Sequence, residues 1–159
     1  MPGSMGYFLK IDGIAGESVD QKHKDEIELV GFSWGVDAAG TGAAGSGGGA
    51  GRVKFKDFEF LMRVNKASPQ LFLSAASGKH LKWATLTVRA KAAFDWLKIK
   101  FTDVLVSSYD QVADAEDDPH EMVAFAFGQV ELEYTPQSHA GAPGSPVRAG
   151  WNLKQNLKI

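Results

Sequence analysis

The chain contains no cysteine, which excludes disulfides, thiolate metal sites and cysteine nucleophiles together. It has no uninterrupted apolar run of about 18 residues, so no segment is built to cross a bilayer as a helix. Neither sign of charge dominates: 17 Lys and Arg stand against 19 Asp and Glu, a net charge of −2. No broad electrostatic attraction therefore draws the chain to nucleic acid or to an anionic membrane. The N-terminal MPGSMGYFLKID lacks the basic region and long apolar core of a secretory signal. Residues 1–5 precede the first patterned segment and carry no functional weight. What is present is enough for one real core: 159 residues, 44% of them hydrophobic, which leads to the expectation of a single globular domain over 1–159.

Catalytic signatures are equally scarce. His23, His80, His120 and His139 lie far apart, and no two share metal-ligand spacing, so each reads as a surface or capping histidine. The acidic cluster DAEDDPHE (114–121) has the charge density for calcium but lacks the ordered ligand alternation and central glycine of a binding loop. It reads as a solvated hairpin tip. No GxSxG stretch is present, and the serines have no accompanying His/Asp pattern. The expectation is a protein without catalytic residues, metal or cofactor.

Alternating apolar and polar residues mark half-buried strands. They occur in YFLKID (7–12), EIELVGFSWGV (26–36), RVKFKDFEFLM (52–62), ATLTVRAKA (84–92), WLKIKFTDVLVSS (96–108) and MVAFAFGQVELEYT (122–135). A last extended piece, VRAGWNLKQN (147–156), follows a Gly/Pro-rich linker. One segment reads as helix, SPQLFLSAASG (68–78), with Ser68 as N-cap, Pro69 at the first helical position and Gly78 at the end.

The parity of the alternation flips within several strands. Val53 and Phe55 give way to Phe58 and Phe60 across Lys56-Asp57. Leu97, Ile99 and Phe101 give way to Val104 and Val106 at Thr102-Asp103. Phe125 and Phe127 give way to Val130, Leu132 and Tyr134 at Gly128-Gln129, and a further flip lies between Leu29 and Val30. A flip requires either a bulge that absorbs one residue or a strand passing from one buried face to another at a subunit contact. Both bend a sheet sharply, so the pattern predicts a mainly β fold of antiparallel strands curled into a compact barrel, with one short helix.

Between two strands lies DAAGTGAAGSGGGAG (37–51), in which seven of fifteen residues are glycine. A phosphate-binding loop requires a helix after the glycines, with a Lys-Ser/Thr at its start in a P-loop. Here a strand follows instead. An interdomain linker is also a poor fit, because the flanking strands read as parts of one sheet. A loop this long in a small domain points to contact with a partner. Trp34, Trp83, Trp96 and Trp151 fit two uses: platforms for sugar rings, as in a carbohydrate-binding module, or anchors of a core or interface.

Five stretches, in this order, carry a resemblance that covers Tyr7 to Asn156: YFLKIDGIAGES, HKDEIELVGFSWGV, the glycine loop running into GRVKFKDFEF, KASPQLFLSAASGKH and PVRAGWNLKQN. Together they resemble the haemolysin-coregulated protein (Hcp) family, the tube subunits of the bacterial type VI secretion system. SPQLFLSAASGKH and AGWNLKQN are the most specific. The chain departs from the family pattern in RAKAAFDW and DQVADAEDDPHE, where the strand reading places turns.

The resemblance implies a β-barrel with a helix packed on its side, six copies of which form a ring. Rings stack head to tail into a hollow tube inside a contractile sheath, and contraction expels the tube behind a VgrG-type spike. The tube is assembled in the bacterial cytoplasm and then delivered outside without a cleaved signal peptide. Some members hold small effectors in the ring lumen, and the chain ends too soon after its last strand for a fused toxin. The family's ring-stacking loop falls on Gly40, Gly42, Gly45, Gly47, Gly48, Gly49 and Gly51, and its lumen-facing serine falls on Ser33. Parity agrees with the latter, since Phe32 and Trp34 share one face and leave Ser33 on the other.

Overall fold

The computed structural model describes residues 5–38, 53–90, 94–139 and 141–159. In chain order the elements are β1 (Met5–Ile11), β2 (Ile27–Glu28), β3 (Gly31–Ser33), β4 (Val36–Asp37), β5 (Lys54–Phe55), β6 (Phe58–Arg63), α1 (Ser68–Ser77), β7 (His80–Ala90), β8 (Asp95–Asp114), β9 (Asp117–Tyr134), β10 (Val147–Asn152) and β11 (Leu157–Lys158). The fold is mainly β, as the alternation predicts, and every strand pairing is antiparallel.

The main sheet runs β11-β10-β9-β8-β7-β1-β2, and β6 bonds to both β9 and β3. The flip between Leu29 and Val30 marks a change of partner. The Leu29 N–H donates to Tyr7 O at 2.9 Å, and the Val30 N–H donates to Leu61 O at 2.8 Å. Segment 27–33 thus begins on β1 and ends on β6, and the pairing path returns through it to β9. This is how the sheet curls around its core. The flip across Lys56-Asp57 is likewise a change of sheet: β5 pairs with β4 in a separate two-stranded ribbon, and β6 joins the main sheet.

The flips at Thr102-Asp103 and Gly128-Gln129 are not bulges. Thr102 pairs with Gln129 and Val104 with Phe127, so the register is unbroken across them. The neighbouring β7 inverts on the same line, with Leu81 and Ala84 both buried and paired with Val104 and Phe101. Three strands turn over together, and no residue is surplus. Asp103 makes the turn with φ +59°, a left-handed conformation that Asp tolerates better than most residues. Gly128 lies against it: a Cβ there would sit 3.0 Å from Lys154 Cε and 3.2 Å from Asp103 Oδ2. Register shifts occur elsewhere, between Val88 and Arg89, Val106 and Ser108, and Val112 and Asp114.

Four phenylalanines, Phe58, Phe60, Phe101 and Phe125, are completely buried. The Phe58 ring lies 4.8 Å from Phe101 and 5.0 Å from Phe125, centroid to centroid. Each buried ring contributes about 1.5–3 kcal/mol by transfer from water, and ring pairs add about 0.5–1.5 kcal/mol. The helix falls where predicted and ends at Gly78, whose φ of 69° is the left-handed cap. Its start differs from expectation: the N-cap is Ala67, without a side-chain cap bond. Ser68 lies inside the helix, with its hydroxyl turned to a buried carboxylate.

The acidic segment forms the exposed tip of the β8–β9 hairpin, as expected, with the turn confined to Ala115 and Glu116 and the strands continuing to Asp114 and from Asp117. Asp114 Oδ1 closes the turn by accepting from the N–H groups of Glu116 (2.8 Å) and Asp117 (3.1 Å). Glu121, read with this segment as solvated, is fully buried.

Candidate functional site

The strands β3, β6, β9 and β8 lie side by side and present two unlike faces. Inward, Phe32 sits 5.7 Å from Tyr7 and from Phe58. Trp34 meets Phe101 at 5.9 Å. Outward, Ser33 pairs with Glu59, Glu59 with Ala124, and Ala124 with Ser108. Ser33 is exposed, as parity requires. The row forms part of a concavity of about 530 Å³ whose lining includes Lys56, Asp57 and Ser107. The Ser107 hydroxyl donates to Asp57 Oδ2 at 2.5 Å. The lining is mostly polar, with three serines, Asp57, Glu59 and Lys56 beside Trp34 and Ala124, and it includes no histidine. Such a surface offers hydroxyls, carboxylates and the Lys56 ammonium for reversible hydrogen bonds.

The glycine positions Gly40, Gly42, Gly45, Gly47, Gly48, Gly49 and Gly51 lie outside the described residues. The base of that loop is described: Val36 pairs with Phe55 and Asp37 with Lys54, and the Lys56 N–H donates to Gly35 O at 2.9 Å. The loop therefore springs from a two-stranded ribbon rather than from a helix.

None of the four tryptophans is exposed. Trp34, Trp96 and Trp151 pack against the core cluster, and Trp96 meets Tyr134 edge to face at 6.2 Å. The sugar-platform reading requires ring faces open to solvent, whereas three of these rings pack on the core and Trp83 is half-buried.

Two polar clusters were missed in the sequence. Under α1, the fully buried Glu121 accepts from the Ser68 hydroxyl at 2.5 Å, from Gln111 Nε2 at 2.7 Å and from the Tyr109 hydroxyl. Burial, and then the Glu121 carboxylate, push the Tyr109 phenol above its ordinary range. A signal existed: Glu121 shares parity with Val123, Phe125 and Phe127, all buried. The second cluster surrounds His23, which is 6% exposed and so is neither a surface nor a capping histidine. Its Nδ1 lies 3.0 Å from Glu26 Oε1, and its Nε2 lies 3.0 Å from Asp95 Oδ1. Nothing in the polar stretch around His23 signals this, because Asp95 is 72 residues away.

At the sheet's inversion line, Asp103 takes a bond from Lys154 and one from His80 Nδ1 at 3.0 Å. These two partners, Lys154 first, hold its carboxyl below the usual carboxylate range. The cluster ties the AGWNLKQN segment to the point where three strands turn over.

Known proteins share this fold. Residues 8–134 match the family described as the type VI secretion system effector Hcp. The chain is 39% identical over 156 residues to Protein hcp1 of Pseudomonas aeruginosa, covering 95% of this chain and 96% of that protein. It is similar to the crystal structure of Hcp1 from Salmonella typhimurium, with a TM-score of 0.84, 37% identity and coverage of 98% and 99% of the two chains. A second solved structure, described as a type six secretion system protein, gives a TM-score of 0.89 at 32% identity, again over 98% and 99%. With the family matched across most of its length and the same fold in both solved structures, the chain belongs to the Hcp family of type VI secretion proteins.

Proposed function

We propose that this chain is a self-assembling tube subunit, with six copies closing into a ring and rings stacking head to tail into a hollow tube. The observation that carries the reading is the Hcp family match over residues 8–134. A ring is a heterologous assembly, in which one patch of each subunit meets a different patch of the next until the rotation closes. Exposed apolar side chains such as Phe72 (57%), Leu73 (56%) and Val147 (66%) supply surface for contacts within a ring. The tube forms in the bacterial cytoplasm inside a contractile sheath and leaves the cell behind a VgrG-type spike. Ser33 and its polar concavity face the lumen and hold small secreted effectors through many weak bonds.

The glycines of 40–51 serve ring-to-ring stacking. Glycine loses more conformational entropy on ordering than any other residue, which keeps stacking weak until assembly is nucleated. Native mass spectrometry with negative-stain electron microscopy tests the reading: rings of six are expected, and a strictly monomeric mass across concentrations overturns it. Shortening 40–49 is expected to leave rings intact and abolish stacking. Loss of the ring itself would place the loop within the ring contact instead.

A further inference from the structure

The segment from Gly16 to Glu26 folds back on itself outside the strands. The Gly16 N–H donates to Asp25 O at 2.8 Å, the Ser18 N–H to Glu26 O at 3.0 Å, and the Asp25 N–H to Ser18 O at 2.9 Å. The His23 ring stacks on Phe8 of β1, with centroids 4.5 Å apart and an interplanar angle of 10°. His23 Nε2 reaches Asp95 at the head of β8 at 3.0 Å. Arg89 of β7 bonds Asp20 at 2.8 Å, and Glu17 accepts the Lys66 N–H at 2.6 Å.

Both ring nitrogens of His23 face carboxylates, Glu26 on one side and Asp95 on the other, each at 3.0 Å. Ionised carboxylates only accept hydrogen bonds, and a neutral imidazole has a single N–H. Deprotonation therefore leaves one ring lone pair pointed at a carboxylate, at a site almost closed to water. The charges facing the ring are the carboxylates of Glu26, Asp95 and Asp20, the last accepting the His23 backbone N–H at 3.2 Å. Among the described residues they are met by one paired cation, Arg89, which already bonds Asp20. Losing the imidazolium would leave three acids against one guanidinium.

We infer that His23 is a proton-dependent latch: as imidazolium it pins segment 16–26 to Phe8 and Asp95, and on losing its proton it releases that segment from the main sheet. The direction follows from the groups around it. Burial alone would lower the histidine's affinity for protons, but the hydrogen bonds and charges of Asp95 and Glu26 outweigh it and raise the midpoint above the ordinary 6.5. A group whose closed-state midpoint is raised contributes fully below the open-state midpoint and loses its contribution as pH rises through the closed-state one. The latch is shut below the ordinary histidine midpoint and loosens as pH rises from there through the raised one. The inference concerns the subunit itself and does not depend on how copies assemble.

Hydrogen exchange on the intact full-length protein, read by mass spectrometry and corrected for intrinsic base catalysis, tests it. Protection of 16–26 is expected to fall about tenfold for each pH unit between the ordinary histidine midpoint and the raised one, and then to level off. Peptides from β8 and β9 should hold constant over the same range. Asp95→Asn should shift the transition to lower pH, and His23→Gln should leave 16–26 equally open at all pH values. Where His23→Gln does not fold, the wild-type series and Asp95→Asn decide. Unchanged protection of 16–26 from pH 6 to 9.5 overturns the latch. An imidazole nitrogen spectrum showing neutral His23 at pH 6.5, or the same midpoint in Asp95→Asn, also overturns it.

Discussion

The two faces of the strands β3, β6, β9 and β8 carry opposite kinds of information. The inner face holds Phe32, Phe58, Phe60 and Phe125 in one aromatic cluster. The outer face of the same residues' neighbours holds Ser33, Glu59 and Ser108 in a row interrupted only by the buried Ala124. Alternation makes this division cheap, since adjacent residues share a backbone yet meet different solvents. The inner face decides whether the protein folds; the outer face is free to be chosen for what it touches. The difference suggests that substitutions one residue apart should separate stability from function.

The largest effect belongs to the middle of the inner face. Phe58→Ala removes a fully buried ring that touches Phe32, Phe60, Phe101 and Phe125. The lost burial and the residual cavity together should lower stability by about 3–5 kcal/mol, read as a shift of the urea midpoint at unchanged slope. Glu59→Ala, the adjacent residue on the outer face, should move the same midpoint by no more than about 0.5 kcal/mol. Equal losses at the two positions would break the comparison.

Much of this was legible in the sequence. The alternation located the strands, the Ser-Pro start and the glycine end located the helix, and parity put Ser33 outward. It also marked the change of partner at Leu29 and Val30, because a strand that leaves one sheet neighbour for another must turn its side chains over. What alternation could not convey was register. The flips at Thr102-Asp103 and Gly128-Gln129 look like independent bulges along the chain, yet they face each other across a paired rung, and only the pairing shows that they cancel. Ser68 reads as a helix cap by local propensity, but Glu121, 53 residues away, competes for its hydroxyl and wins. His23 was illegible for the same reason, since a polar stretch does not reveal which distant carboxylate completes it.

Glu121 is the exception on the inner face, and it sharpens the comparison. It shares the parity of Val123 and Phe125, yet it is an acid, fully buried and satisfied by Ser68, Gln111 and Tyr109. Glu121→Ala would leave the buried Ser68 hydroxyl and the partly buried Tyr109 hydroxyl without their acceptor. Each such group costs about 1–3 kcal/mol, so the variant should lose about 2–4 kcal/mol, less than Phe58→Ala. Because Ser68 opens α1, amide exchange should quicken first in that helix. Glu121→Gln keeps an acceptor and most of the shape and should recover at least half of the loss. Exchange that quickens uniformly would show that Glu121 does not anchor the helix in particular.

The smallest effect on stability is expected at Ser33. It is exposed, lies opposite Glu59 in the pairing and adds nothing to the aromatic cluster behind it. Ser33→Gln should therefore change the urea midpoint by no more than about 0.5 kcal/mol and leave the assembled mass untouched. It would, however, push a longer side chain into the concavity shared with Asp57, Glu59 and Ser107. Where that concavity receives a small secreted protein, many modest bonds must form at once, and a displaced contact there should reduce the effector recovered with the purified assembly. An unaltered yield of co-purified effector, with the assembly intact, would remove Ser33 from the lumen contact and leave the outer face without an assigned partner. A loss of stability comparable to that of Glu121→Ala would instead show that this residue belongs to the folding face, and the division between the two sides of the strand would fail at the position where parity draws it most plainly.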